Sequence, residues 1–211
     1  MSFFIKKEMP SKGQLGIWRI EEEERFFKNE LPLSSANEAN LAKKHPSRRL
    51  EWLAGRYLLH EMSEGEPCQV DEYGKPFLEN SPYHVSISHS GNLASVVMNH
   101  KSVGVDIQKI TTKIQRIARK FMRAEEMDSL EKGTELEHLH VYWGAKEALY
   151  KAYGKKQLDF REHIHVKPFV YQSDGGQSTA IVTKGDYKNT YEVHYQKIED
   201  YILVYVVEDG V

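Results

Sequence analysis

The spacing of apolar residues changes period several times along the chain, and each change marks an element. An opening strand-like segment leads into "LGIWRI" (15–20), where apolar positions alternate with small or charged ones as in a strand. "EEEERFFKNELPL" (21–33) then places acids in the first turn of a helix, where negative charge is commonplace. In "HPSRRLEWLAGRYLLHEM" (45–62), Leu50, Leu53, Tyr57 and Leu58 fall at helical spacing and Ser47 is the expected N-cap. "DEYGKPFL" (71–78) reads as a turn that leaves in extended form, with Gly74 free in its backbone angles and Pro76 fixing the next step. "YHVSISHSGNLASVVMNH" (83–100) alternates on both sides of Ser90, Gly91 and Asn92, a hairpin signal, and "VGVDI" (103–107) makes a further strand. Residues 109–124 hold six Lys or Arg and no acid, with Ile110, Ile114, Ile117 and Phe121 at helical spacing, which predicts a basic amphipathic helix. A helix over 136–153 and strands over 191–209 complete the chain.

The same patterns occur twice. A shift of 108 residues lays Tyr83, Val85 and Val96 on Tyr191, Val193 and Val204, and "WLAGRYLL" (52–59) resembles "WGAKEALY" (143–150). In both places the helix precedes the paired strands. The spacing predicts an α+β protein of two similar halves, residues 1–102 and 103–211, with strand 103–107 near the join.

Composition narrows the classes. The 211 residues, 40% hydrophobic and 28% charged, suit a globular chain of one moderate domain or two small ones. A net charge of −2 argues against an overall polyanion binder, and no basic stripe interleaved with aromatics suggests nucleic acid. Cys68 is the single cysteine, so no internal disulfide forms, and no Cys/His spacing resembles a zinc site. There is neither a signal-peptide pattern nor a run of about 18 apolar residues that would span a membrane, so the expectation is a cytoplasmic protein.

Several residues stand out chemically. Asp106 lies inside an apolar run, where it either finds a cation or points to the solvated face of its strand, and spacing leaves the two readings even. Trp143, Glu147 and Lys151 lie at four-residue steps on one helical stripe, with Lys146 alongside. Alone, Glu147 and Lys151 make an ordinary i,i+4 pair of roughly 0.2–0.5 kcal/mol. Together with Asp106, they match a Mg²⁺ site shared with substrate phosphates, built from a strand carboxylate and a helix carboxylate. Lys75 in its glycine turn, Ser88 and His89 before the hairpin turn, and Arg49 and Arg56 on the first long helix are each ordinary surface or core residues when taken singly.

"YGKPFL", "SISHS", "VGVDI" and "WGAKEALYK", in this order, resemble the motif series of the 4′-phosphopantetheinyl transferases, specifically the double-length type that activates peptide and polyketide synthetases. The resemblance covers residues 73–151. It implies two similar α/β halves forming a pseudo-dimer in one chain, expected to be a monomer, with coenzyme A in the cleft between them. The implied reaction moves the phosphopantetheine arm of coenzyme A to a serine of an apo carrier protein and releases adenosine 3′,5′-bisphosphate. By this resemblance Asp106 and Glu147 bind Mg²⁺, or Mn²⁺ in its place, and Lys146 and Lys151 meet phosphates. Lys75, Ser88 and His89 hold the nucleotide end and its 3′-phosphate, together with Arg49, for which Arg48 and Arg56 are alternatives in register. Glu147 is the first choice as general base, and Lys151 could donate to the leaving phosphate. Glu125 matches the glutamate of the family's F-S-x-x-E pattern, with Met122 at the hydroxyl position. Gln108 stands where many members carry a third metal-binding acid, and a water would fill that place. The basic segment 109–124, with Lys113, Arg116, Arg119 and Lys120, would dock the acidic carrier.

Two rival readings have a basis in the sequence. "HVSI" (84–87) resembles half of a two-histidine phosphoesterase signature, but "HLHV" (138–141) and "HIHV" (163–166) lack the hydroxyl residue of the other half. A non-catalytic module that binds coenzyme A or a carrier protein is the alternative that Gln108 leaves open.

Overall fold

The computed structural model describes residues 5–210. Strands β1 (Ile5–Met9) and β2 (Gly13–Arg19) lead to helices α1 (Glu24–Glu30), α2 (Ser35–Ala42) and the long α3 (Pro46–Met62). Strands β3 (Cys68–Val70), β4 (Pro76–Leu78), β5 (His84–Ser90) and β6 (Leu93–Asn99) follow. The chain then repeats itself: β7 (Val103–Lys109), a 3₁₀ turn (Thr112–Arg116), α4 (Ala118–Phe121), α5 (Ala124–Asp128) and long α6 (Glu135–Tyr153) precede β8 (Ile164–Val166), β9 (Gly176–Lys184), β10 (Tyr187–Ile198) and β11 (Tyr201–Glu208).

Two antiparallel sheets result, ordered β1-β2-β6-β5-β4-β3 and β7-β11-β10-β9-β8. Apart from β1, the two orders are the same: a strand, a long helix and four further strands, the last of which returns to pair with the first. The register repeats too, since Ile87 faces Val96 and Tyr195 faces Val204, in keeping with the 108-residue shift. The architecture is α+β in two similar halves.

Three apolar clusters hold it together. One lies between α3 and the first sheet, a second between α6 and the second sheet, and the third joins the sheets through Leu15, Ile17 and Val97 on one side and Val105, Ile107 and Leu203 on the other. Within the second cluster His138 stacks on Tyr142, and neither ring nitrogen has a hydrogen-bond partner among the described residues. Burial pushes its pKa down to about 4, so the imidazole packs as a neutral aromatic.

The edge of β7 is closed in an unusual way. One side of the strand pairs with β11; on the other, the N–H groups of Val105, Ile107 and Lys109 donate to the hydroxyls of Ser86, Ser88 and Ser90 at 3.1, 3.2 and 3.2 Å. Alternate serines on β5 thus meet alternate donors on β7, because both strands have a two-residue period. This ladder of side chains joins the two halves and satisfies donors that an open edge would leave bare.

Two local expectations need correction. Pro46 opens α3 and His45 is its N-cap, so Ser47 lies inside the first turn and bonds the His45 ring instead, at 2.9 Å. The basic segment 109–124 is not one helix. Lys109 finishes β7, Thr111 is extended, the turn at 112–116 is 3₁₀, and Met122 is extended again after one α turn. The β-branched run Ile110-Thr111-Thr112 favours extension there. The split of faces survives: Ile114, Ala118 and Phe121 are buried while Lys113, Arg116, Arg119 and Lys120 are exposed. Among the described residues no helix is long and apolar enough to cross a membrane.

Candidate active site

The site forms where β7, α6 and β5 meet. Strand alternation turns Val105 and Ile107 into the core between the sheets and leaves Asp106 and Gln108 on the side facing α6. Asp106 is 8% exposed and accepts three hydrogen bonds: from Ser88 Oγ (2.9 Å) and Lys151 Nζ (2.8 Å) at one oxygen, and from Gln108 Nε2 (2.8 Å) at the other. The question left even by spacing is decided for the buried, cation-paired reading.

Lys151 Nζ also donates to Ser88 Oγ and to the Val105 carbonyl, both at 2.9 Å. Ser88 therefore accepts from Lys151 and the Ile107 N–H and donates to Asp106, which uses its hydroxyl fully. Ser88 is thus a buried junction that orients Asp106 and Lys151.

Glu147, one turn before Lys151, is half-buried and makes no hydrogen bond or ion pair among the described residues. Burial, followed by the negative charge of Asp106, pushes its carboxyl above the usual range, against the pull of Lys151. Two carboxylates thus face one lysine, and one of them has its oxygens unused. That surplus of negative charge fits a hard cation with oxygen ligands. Among the described residues no three His, Cys, Asp or Glu side chains converge as a protein-only cage, so waters and substrate oxygens would complete the shell. Gln108 fits as well: turning its amide over would present an oxygen in place of the N–H now given to Asp106.

Beside this group a cavity of about 270 Å³ opens between the halves, lined by Tyr73, Gly74, Lys75 and Pro76, by Val85–Ile87 of β5, and by Tyr150, Lys151 and Gly154–Lys156. Lys75 spans it, donating to the Ala152 carbonyl at 2.7 Å near the end of α6. Burial lowers the Lys75 pKa. Gly154 ends the helix in the left-handed conformation (φ 72°), and a Cβ there would come within 2.5 Å of Lys75 Cδ. Farther along β5, His89 Nδ1 lies 3.1 Å from Glu51 Oε2, and Arg48 Nη1 bonds the same oxygen at 2.7 Å. Burial lowers the His89 pKa; Glu51 opposes that, while Lys151 and Arg48 add to it.

Three residues named from the sequence lie away from the Asp106 group. Lys146 is fully buried, paired with Glu126 (2.8 Å) and donating to the carbonyls of Phe160 (2.9 Å) and Ile164 (3.2 Å). One residue is about 100° of helix, which turns Lys146 inward when Glu147 faces the cleft. Arg49 turns to Glu24 on α1 (3.2 Å), and Arg56 to Cys68 and the Trp52 ring, leaving Arg48 as the arginine near His89. Glu125 is exposed and pairs with Arg123 (2.7 Å) and His165 (3.5 Å), so the fold does not bring it to the Asp106 group.

Sequence reasoning missed Glu51 and the serine ladder. The only signal for the ladder was the repeated Ser-x-Ser-x-Ser of 86–90, and nothing local to Glu51 distinguishes it from other helix acids.

Residues 102–206, which hold the second sheet, α6 and its acids, match the family model of the 4′-phosphopantetheinyl transferase superfamily. The chain is also similar to 4′-phosphopantetheinyl transferases: one from Bacillus subtilis (32% identity over 90 residues, 41% of this chain and 40% of that protein), psf-1 of Bacillus pumilus (32% over 108 residues, 47% and 46%) and gsp of Aneurinibacillus migulanus (30% over 111 residues, 50% and 46%). The chain thus spans less than half the length of these curated relatives. With the doubled fold and the Asp106–Glu147–Lys151 group, these matches show that the chain belongs to the 4′-phosphopantetheinyl transferase superfamily.

Proposed function

We propose that this protein transfers the phosphopantetheine arm of coenzyme A to a serine of an apo carrier protein. The observation that carries this reading is the buried Asp106–Lys151 pair with an unpartnered Glu147 beside it, at the edge of a lysine-lined cleft. The serine oxygen bonds to the β-phosphorus, the bond to the α-phosphate oxygen breaks, and adenosine 3′,5′-bisphosphate leaves.

Lys151, whose three N–H donors go to Asp106, Ser88 and the Val105 carbonyl, would give up one of these to donate to the leaving phosphate. Glu147, directly or through a metal-ordered water, is the first choice to take the serine proton. Lys75 in the cavity lining and His89, two residues beyond Ile87 on β5, serve the nucleotide end. Mg²⁺, or Mn²⁺ in its place, held by Asp106, Glu147 and either Gln108 or a water, would neutralise charge on the pyrophosphate. The ridge of Lys113, Arg116, Arg119 and Lys120 has no ion pairs among the described residues and suits an acidic carrier surface. Because both halves of the cleft lie in one chain, the monomer is the active unit.

The test is mass spectrometry of apo carrier proteins incubated with the protein, Mg²⁺ and coenzyme A. A gain of one phosphopantetheine group is expected, slowed roughly 10²–10⁴-fold in Glu147→Ala. No gain on acyl, peptidyl or aryl carriers, with coenzyme A still bound, would leave a binding module instead.

A further inference from the structure

The contact between Glu51 and His89 is not explained by transfer chemistry. Glu51 is 8% exposed and lies on α3 of the first half, whereas Asp106 and Glu147 lie on β7 and α6 of the second. It reaches His89 at Nδ1, which is buried and lacks the alignment of a full hydrogen bond, while Nε2 makes no hydrogen bond among the described residues. The charged groups facing His89 are Glu51 and Arg48 on α3 and Lys151 on α6. Two cations and burial favour the neutral ring; one carboxylate favours the imidazolium.

We propose that Glu51 is a positioning residue that presents His89 Nε2 to the 3′-phosphate of coenzyme A and supplies the negative charge against which His89 is protonated when that phosphate binds. This rests on the coenzyme A reading of the cleft. A carboxylate at Nδ1 keeps the proton on that nitrogen, so a neutral His89 turns a lone pair toward the cleft and repels a phosphate. Once a proton is added, Nε2–H becomes a charged donor to the phosphate. The incoming anion also offsets Arg48 and Lys151, removing two of the three influences that keep the ring neutral. Binding and proton uptake are thereby linked, and affinity for the 3′-phosphate falls as pH rises.

Calorimetry in two buffers of different ionisation heat tests the proposal on the full chain, with coenzyme A and 3′-dephospho-coenzyme A as probes. The wild type should take up a fraction of a proton with coenzyme A near neutral pH, and its Kd should rise several-fold between about pH 6 and about pH 8. Glu51→Gln should bind coenzyme A several-fold more weakly and lose most of the uptake, whereas 3′-dephospho-coenzyme A should show little uptake with either protein. Undiminished uptake in Glu51→Gln, or equal uptake with the dephospho compound, would overturn the assignment and leave the transferase reading standing. No coenzyme A binding at all would overturn both. Should the variant fold poorly, an NMR titration of the wild-type His89 ring gives the same decision: its pKa rises when coenzyme A is added, or the proposal fails.

Discussion

The two halves share a strand order and a register, yet only the second carries the acids. Asp106 stands opposite Val204 in its sheet, and in the first sheet Gly16 stands opposite Val96, the same place under the 108-residue shift. At Gly16 the space is filled from α3: a Cβ would meet Met62 Sδ at 2.5 Å and Leu58 Cδ1 at 3.2 Å. In the second half the helix comes closest two residues earlier, at Gly104, where a Cβ would lie 1.9 Å from the Ala148 carbonyl oxygen. That displacement leaves Asp106 beside Lys151 and Glu147 instead of packing it away. The point where helix and strand touch decides whether a strand position is core or chemistry.

The largest expected effect breaks the comparison at its two glycines. Gly104→Ala drives a methyl into helix backbone that cannot yield, and it should abolish cooperative folding. Gly16→Ala meets the flexible end of Met62 and should cost about 1–3 kcal/mol, the usual range for overpacking. Urea titration of both variants checks this; equal, small losses would show that the helices approach the two sheets alike.

The buried charge inside the second half comes next. Lys146→Met leaves the Glu126 carboxylate buried without its cation, and a loss of about 3–5 kcal/mol is expected. Adding Glu126→Gln should recover part of it, though the backbone N–H groups of Arg123 and Val166 would still need their acceptor. A double variant no more stable than the single one would mean that the carboxylate serves those N–H groups more than it serves Lys146.

The smallest effect concerns the join. Ser86→Ala strands the Val105 N–H and should cost about 1–3 kcal/mol, the penalty for a buried donor without a partner. Transfer activity should fall less than in Ser88→Ala, because Ser88 also holds Asp106 and Lys151. Equal activity losses in the two variants would show that the ladder, rather than the Asp106 junction, is what catalysis requires.

The sequence by itself determined the long helices, the hairpin, the doubling and the pairing of Asp106 with a strip of α6, because hydrophobic period and residue order are local quantities. Asp106, Glu147 and Lys151 were legible in that way and Gln108 only through the family resemblance; their grouping follows from β7 lying beside α6. Only the tertiary structure decided which of two adjacent charges faces the cleft. Arg48 and Arg49, or Lys146 and Glu147, differ by about 100° of helix rotation, and packing against a particular sheet sets that rotation. The break in the basic segment likewise depends on β7 running on to Lys109 opposite Tyr201, a pairing more than ninety residues distant in sequence. Glu51 and the serine ladder were hidden for the same reason: each gains its meaning from a partner in another element, and no local pattern encodes the distance between them.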